Sequence, residues 1–412
     1  MYLKRIIEQR IQNSLNRIGC VMVVGPKGIG KTETSKKLCK SFIELDNPSK
    51  NYKQLLEVDY EFILNGEKPR LIDEWQEVPK VFNLIRREID NQNLKGAYIL
   101  CGSTSAEIDK ELHSGMNRVS RIKMRPLSYT ELKLSEQKID FNSFFDKDFI
   151  LSPIETNFPL KKHIESICIG GFPLNIENNL SDSWENNRDY WENFINFDIS
   201  KTDKINILLF KNFLKSIARN ISHDLKYSTI AKDANIDERT VVEYFNILEK
   251  NYLLDNLSVW NTKLRSRANL RKKPKVNFID PCLGVNLINA TYEKLSKDFE
   301  TLGFYFESLV IRDLKTYAET LGYDIFFYSD DENLEIDCII ENKDGYWSLF
   351  EIKLGSENGI GEGVKNINKL VKKLDDSVLK MLISKNIITA KNISYKVGDI
   401  NIIGFSHIYL NF

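Results

Sequence analysis

The octapeptide Gly25-Pro26-Lys27-Gly28-Ile29-Gly30-Lys31-Thr32 constrains this chain more than any other stretch. It has the spacing G-x-x-x-x-G-K-[ST]. An apolar run of strand length, Cys20-Val-Met-Val-Val24, precedes it, and a helical pattern from Glu33 to Phe42 follows. Strand, glycine-rich loop and helix in that order form a phosphate-binding loop. Glycines let the backbone N–H groups curl around phosphate oxygens, and the helix N-terminus adds a favourable dipole. Lys31 is placed to reach the β- and γ-phosphates, and the Thr32 hydroxyl to ligate Mg²⁺. The expected cofactors are therefore ATP and Mg²⁺, held by residues 25–32.

A second nucleotide element follows about forty residues later, where the short apolar strand of Leu71-Ile-Asp-Glu74 ends in two carboxylates. Asp73 is expected to hold Mg²⁺ through water, and Glu74 to polarise the attacking water. A third strand, Ala97-Tyr-Ile-Leu-Cys101, runs into Gly102-Ser-Thr-Ser105. Ser103, with Thr104 second, is the candidate for orienting water near the γ-phosphate. Arg118 and Arg121 follow, and an arginine here is a candidate for stabilising transition-state charge, in cis or across a subunit boundary.

At 412 residues the chain exceeds one ordinary core, so several domains are expected. Formal net charge is zero, so any nucleic-acid or membrane attraction must come from a local patch. The six cysteines include no C-x-x-C pair, and the four histidines are isolated. Neither a disulfide framework nor a zinc site is indicated. No stretch reaches transmembrane length, and the amphipathic, charged N-terminus has no apolar signal core. A cytoplasmic protein with no membrane partner is the expectation.

Strand and helix patterns alternate over residues 1–135, as in a parallel α/β sheet. Residues 136–220 read as a mostly helical lid or connector. Within 221–275, Tyr227–Ala234 and Glu238–Glu249 have helix-turn-helix spacing around Asn235-Ile-Asp237, and Tyr252–Trp260 reads as the strand of a winged variant. The second helix carries Glu238, Glu243 and Glu249 against Arg239 and Lys250, not the basic excess of a groove-reading helix. Residues 263–275 hold seven basic residues and no acidic one, and within them Lys263-Leu-Arg-Ser-Arg267 with Arg271-Lys-Lys273 is the better phosphate-contacting candidate, the competing reading being a solvated charged connector. Residues 276–412 return to mixed α/β, with strands at 324–328, 334–341 and 346–352 and a helix near 304–320.

That last segment carries acidic residues in an order chemistry can use. Glu307 lies on the helix, Asp337 on the second strand, and Glu351 and Lys353 on the third. Residues i and i+2 of a strand share a face, so Glu351 and Lys353 point the same way. Asp337, Glu351 and the Ile352 carbonyl would bind Mg²⁺, Glu307 would add a ligand, and Lys353 would stabilise or deprotonate an attacking water. The set resembles the D…E-x-K core of PD-(D/E)XK nucleases. The competing reading is an ion-paired Glu–Lys ladder on a non-catalytic domain.

The chain as a whole resembles the AAA+-type ATPases of prokaryotes that carry a C-terminal DUF4143 domain. The likeness rests on Leu71-Ile-Asp-Glu-Trp-Gln-Glu-Val-Pro79, Ile99-Leu-Cys-Gly-Ser103, His113–Ser128, Gly170-Gly-Phe-Pro173, Leu214–Asn220 and Asp280-Pro-Cys-Leu-Gly284. It implies an α/β protein with a P-loop NTPase (AAA+-like) parallel sheet and helical lid, a winged helix-turn-helix, and a C-terminal α/β PD-(D/E)XK nuclease-like domain. Two departures stand out. Cys101 replaces a frequent Thr, and Asn117 replaces a Gly, although Asn tolerates left-handed backbone. The expected activity is ATP hydrolysis whose nucleotide state controls the nuclease-like domain, acting on DNA or RNA. The alternative is a nucleotide-dependent signalling or scaffold switch with protein partners or a homo-oligomer.

Overall fold

The computed structural model describes residues 2–47, 49, 52, 54–55, 61–102, 117–199, 205–223, 225–261 and 274–412. Two compact units emerge, one from residues 1–126 with 247–253, the other from 127–246 with 254–412. Ser103, Thr104, His113 and residues 263–273 of the basic stretch lie outside the described residues.

The first unit is built on five parallel strands: β1 (Cys20–Val24), β2 (Ser41–Glu44), β3 (Arg70–Asp73), β4 (Tyr98–Gly102) and β5 (Val119–Lys123). Their order is β2-β3-β4-β1-β5. Every residue of β1, β3 and β4 is buried, as expected for a parallel sheet covered on both faces. On one face Cys20, Met22, Ile72, Tyr98 and Leu100 pack with Val81, Phe82, Ile85 and Ile89. Those four recur at helical spacing on a helix, Lys80–Gln92, which ends on Asn93 in the left-handed conformation (φ 49°). A helix at Ile7–Leu15 also packs on this unit, as does Lys31–Leu38, which follows the loop. This last helix is shorter than the sequence pattern suggested. Cys39 is already extended, and Ser41–Glu44 pairs in parallel with β3. The Phe42 ring, 53% exposed, belongs to this outermost strand and not to a helix. Asn117 takes φ 65° ahead of β5, the left-handed turn that Asn accommodates.

The second unit contains an eight-stranded sheet. Its strands beyond a short parallel pair, β6 (Ile139–Asp140) with β15 (Ile408–Tyr409), are β7 (Ile154–Glu155), β8 (Ser258–Val259), β9 (Asp324–Ser329), β10 (Glu335–Glu341), β11 (Trp347–Lys353), β12 (Leu382–Thr389), β13 (Ile393–Val397) and β14 (Ile400–Gly404). The order is β7-β13-β14-β12-β11-β10-β9-β8. β9, β10 and β11 form an antiparallel meander, while β12 runs parallel to β11. The helix Glu357–Lys373 makes that crossover and buries Ile360, Ile367 and Leu370 against Trp347, Leu349 and Ile387. The 23-residue helix Phe299–Leu321 runs through the unit, buried continuously from Tyr305 to Ala318.

Helices also span Leu160–Ile169, Leu180–Asn193, Ile207–Arg219, Tyr227–Ala234 and Glu238–Lys250. Asn235, at φ 54°, turns the chain between the last two. A buried arginine joins several of these parts. Arg312 pairs with Asp280 and Asp313, each at 2.8 Å. Asp280 also accepts from Gly171 N (2.9 Å) and Cys282 N (3.0 Å), and Asp313 from Tyr129 N (2.7 Å). The Gly170–Pro173 and Asp280–Gly284 motifs therefore have structural work here, as two sides of one buried ion network.

Candidate functional site

The loop after β1 starts at Gly25, whose φ is 152°, and a Cβ there would sit 2.5 Å from the Met124 carbonyl oxygen. It ends at Gly30, left-handed at φ 86° and ψ 25°, which caps the helix beginning at Lys31. Only glycine takes both positions without strain. Arg5 braces the loop from outside the motif. Its buried guanidinium donates to the Ile29 carbonyl (2.9 Å) and the Arg125 carbonyl (2.6 Å).

Lys31 is buried, and its Nζ donates to the carbonyls of Gly25 (3.0 Å) and Pro26 (2.8 Å). Burial lowers its pKa, against the pull of nearby acidic groups. The Thr32 hydroxyl donates to Asp73 Oδ2 across 2.8 Å. Burial pushes the Asp73 carboxyl up to about 6, even with Thr32 favouring its charged form. Its other oxygen, Oδ1, is buried with no hydrogen-bond partner. An unpartnered buried carboxylate oxygen beside a threonine hydroxyl is an oxygen donor set suited to Mg²⁺. The glycine loop and its lysine suit a phosphate chain, so the residues present fit Mg·ATP.

Glu74 adopts φ 48° and ψ 42° as β3 ends, and Gln76 Nε2 donates to its Oε2. Gln76 sits against Gly102, where a Cβ would overlap its Oε1, and that oxygen is itself buried without a partner. Cys101 is buried, its Sγ 3.0 Å from Ser35 Oγ.

Arg118 is not brought to this place. Its carbonyl accepts from Cys20 N at the start of β1, and its guanidinium pairs with Asp90 at 2.7 Å. The loop leaves the opposite end of β1, about 13 Å away at strand rise. Within one chain, then, Arg118 does not reach a γ-phosphate, which corrects the cis form of the sequence expectation. Arg121 lies on β5 and donates to Tyr252.

In the second unit, Glu307, Asp337, Glu351 and Lys353 do converge, joined by residues the sequence reading missed. A register shift in β10 sets Asp337 and Cys338 opposite a single β9 residue, a bulge that re-aims the strand. Asp337 Oδ2 then accepts from Ile352 N at 2.8 Å, while Lys353 Nζ lies 3.7 Å from Asp337 and 3.5 Å from Glu351. Asn366, on the crossover helix, donates to Glu351 at 3.0 Å. Lys275 enters from the far side. Its Nζ is 2.9 Å from Glu307 and 3.5 Å from Asp337, and it also pairs with Glu335. Burial opposes its charge, but Glu307, Asp337 and Glu335 outweigh that and raise its pKa well above the usual value. Burial likewise pushes Glu307 up to about 8 and Glu351 well up, whereas Lys353 and Lys275 overcome burial to hold Asp337 well below the carboxylate range. Four carboxyl groups thus face two ammonium groups, and two of the four favour the neutral form.

This arrangement does not fit the expected Mg²⁺ site. Among the described residues no group of three or more His, Cys, Asp or Glu side chains is disposed to hold a metal ion. The reason at Glu307, Asp337 and Glu351 is direct: the Lys275 ammonium lies between Glu307 and Asp337. Lys275, to which the sequence reading gave no role beyond counting it among the basic residues of 263–275, is 1% exposed.

Residues 18–133 match the family model described as AAA domain. They form an AAA-type P-loop domain. Residues 302–408 match DUF4143, and 160–294 match DUF8612, both described as domains of unknown function. An AAA-type P-loop segment and a DUF4143 segment thus lie in one chain, as the resemblance implied at that level. The uncharacterized proteins Mb2031c of Mycobacterium bovis and Rv2008c of Mycobacterium tuberculosis are each 20% identical over 367 residues, covering 88% of this chain and 76% of theirs. Among solved structures, a DNA replication initiation factor aligns at 12% identity and TM-score 0.25, over 59% of this chain and 86% of that one. A Saccharomyces cerevisiae Hsp104-ADP complex aligns at 12% and TM-score 0.28, over 92% and 54%. Among the described residues no helix is long and apolar enough to cross a membrane.

Arg5, ahead of the segment that matches the AAA domain, and Gln76 within it are the residues of the first unit that sequence reasoning missed. Gln76 stands two places after Glu74, a proximity that gives a weak signal. Arg5 precedes the first helix and becomes visible only once Ile29 and Arg125 are folded beside it.

Proposed function

We propose that this protein binds and hydrolyses Mg·ATP and that its nucleotide state drives a conformational change passed to the DUF4143 domain. The observation that carries the reading is Asp73: hydrogen-bonded to Thr32 through one oxygen and buried without a partner at the other. Bound Mg²⁺ would be held by Thr32 and Asp73 and would offset the charge on the phosphates. Lys31 would exchange the Gly25 and Pro26 carbonyls for phosphate oxygens. Glu74 would orient and polarise the attacking water, with Gln76 fixing its carboxylate. Ser103, which follows Gly102 in sequence, remains the proposed water-orienting group, and Arg118 a finger only if another copy of the chain presents it. The test is Mg²⁺-dependent ATP turnover by the full chain beside Glu74→Gln. The variant should retain nucleotide and lose turnover; equal turnover would remove Glu74 from its role.

The DUF4143 domain supports two readings of the output. Convergence of Glu307, Asp337, Glu351 and Lys353 supports a nuclease-like domain acting on DNA or RNA. The helix-turn-helix spacing at 227–250, read with Tyr252–Trp260 as a winged helix, and the basic residues 263–273 support nucleic-acid contact. The other reading is a switch whose nuclease-like domain only binds, with a protein partner or a second copy of the chain. Cleavage of plasmid DNA and structured RNA, with Mg²⁺ or Mn²⁺ and with or without ATP, separates them when run beside Lys353→Ala. Cleavage lost in the variant supports a nuclease; none under any condition supports the switch.

A further inference from the structure

We propose that Lys275 is the resident cation of the Glu307–Glu335–Asp337–Glu351 cluster, a covalently tethered lock that excludes divalent metal until its own strand segment withdraws. This goes beyond ATP hydrolysis and does not rest on it.

The side chain is as buried as a core residue, at 1% exposure, yet ends in an ammonium. It meets three carboxylates from two elements: Glu307 on the long helix, Glu335 and Asp337 on β10. Glu335 and Asp337 are two apart on the strand, and the bulge that follows Ile336 turns Asp337 toward the end of β11. Lys353 holds the opposite side of Asp337. A divalent ion binding these oxygens would need to approach to roughly 2.0–2.6 Å, into the volume where Lys275 Nζ donates, and against its positive charge. Lysine and metal are therefore alternatives at this position.

The tether is simple. Lys275 exchanges two backbone hydrogen bonds with Leu257, at 2.9 and 3.0 Å, and Asn277 O accepts from Asp255 N at 2.8 Å. It lies outside the β10–β11 ladder, so its withdrawal would break no pairing between the strands that carry the acidic groups, although it would unseat Val276 and Phe278, which are buried beside it. In sequence it closes the basic stretch that begins at Lys263. Release of Lys275 would leave an acidic set beside Lys353.

The experiment titrates Mn²⁺ alone into the full-length, nucleotide-free chain and follows the free ion by electron paramagnetic resonance. All proteins carry Asp73→Asn, so that the P-loop site does not contribute. With Lys275 in place, no site sensitive to Asp337→Asn should appear at micromolar Mn²⁺. Lys275→Met should create one site per chain, at least tenfold tighter, and adding Asp337→Asn should abolish it. The double variant Lys275→Met, Glu307→Gln removes the Lys275–Glu307 pair as a unit; if the single variant fails to fold, this one carries the test, with Mn²⁺ binding that Asp337→Asn abolishes as the expected result. Micromolar Mn²⁺ binding by the chain with Lys275 intact, lost on Asp337→Asn, would overturn the lock. So would a folded Lys275→Met or double variant that binds no Mn²⁺.

Discussion

Thr32 Oγ1 lies 2.8 Å from Asp73 Oδ2, so the helix that follows the glycine loop is hydrogen-bonded to the end of β3. Removing the hydroxyl in Thr32→Ala should leave the fold intact and lower ATP turnover by about a hundredfold, the scale of losing a preorganised electrostatic contact. Thr32→Ser keeps the hydroxyl and should retain most activity. Steady-state phosphate release, with nucleotide binding measured alongside, distinguishes lost chemistry from lost affinity.

Arg5 satisfies two buried carbonyls, Ile29 inside the loop and Arg125 beyond β5. Arg5→Met removes the donor that reaches each, at about 1–3 kcal/mol for a buried carbonyl that loses its partner. Because one of them is in the loop, part of that cost should appear as weaker nucleotide binding, about tenfold for each 1.4 kcal/mol. Titration with a fluorescent ATP analogue checks it. Unchanged affinity with a lowered melting temperature would make Arg5 a purely structural brace.

Much of this was legible in local patterns. Cys20–Val24, Lys80–Gln92 and Tyr227–Ala234 follow closely from hydrophobic periodicity and flanking turns, and the P-loop from spacing alone. β2 was lost because Ser41-Phe-Ile-Glu is a short outer strand with an exposed Phe, too short to override the helical pattern before it. β12, β13 and β14 were missed too, and their register is set by partners far along the chain. Lys275 shows the limit most clearly. Nothing local separates it from Arg271, Lys272 and Lys273, and only the tertiary approach of Glu307 and Asp337 makes its burial tolerable.

Arg312 should prove the most sensitive charged residue of the second unit. Arg312→Met would strand Asp280 and Asp313, both fully buried, and loosen the bonds they accept from Gly171, Cys282 and Tyr129. A loss of about 3–5 kcal/mol is expected, the usual consequence of removing one partner from a buried ion pair. Denaturant unfolding of the full chain, followed by the fluorescence of the second unit's tryptophans, measures it. A loss within 1 kcal/mol, roughly the worth of an exposed pair, would contradict the network's role.

His163 gives the second unit a defined pH response. Its ring is fully buried among Tyr129, Phe158, Phe306 and Phe405, and burial pushes its pKa from 6.5 down to about 3. The unfolded chain therefore takes up a proton near pH 6.5 that the folded chain refuses until about pH 3. Stability is fully present above 6.5 and falls as pH drops between those values, by up to about 1.4 kcal/mol per unit. His163→Phe should flatten that part of the profile. Melting temperatures of both proteins from pH 7.5 to 4.5 test it, and parallel curves would contradict the assignment.

The central claim is ATP hydrolysis at the Lys31–Thr32–Asp73–Glu74 site, and its most direct test is phosphate release from Mg·ATP by the full chain and by Lys31→Ala. The account predicts measurable turnover by the native protein and loss of about a hundredfold or more in the variant, whose buried ammonium is the group placed to meet the phosphates. Turnover undiminished by Lys31→Ala would contradict the account at its foundation.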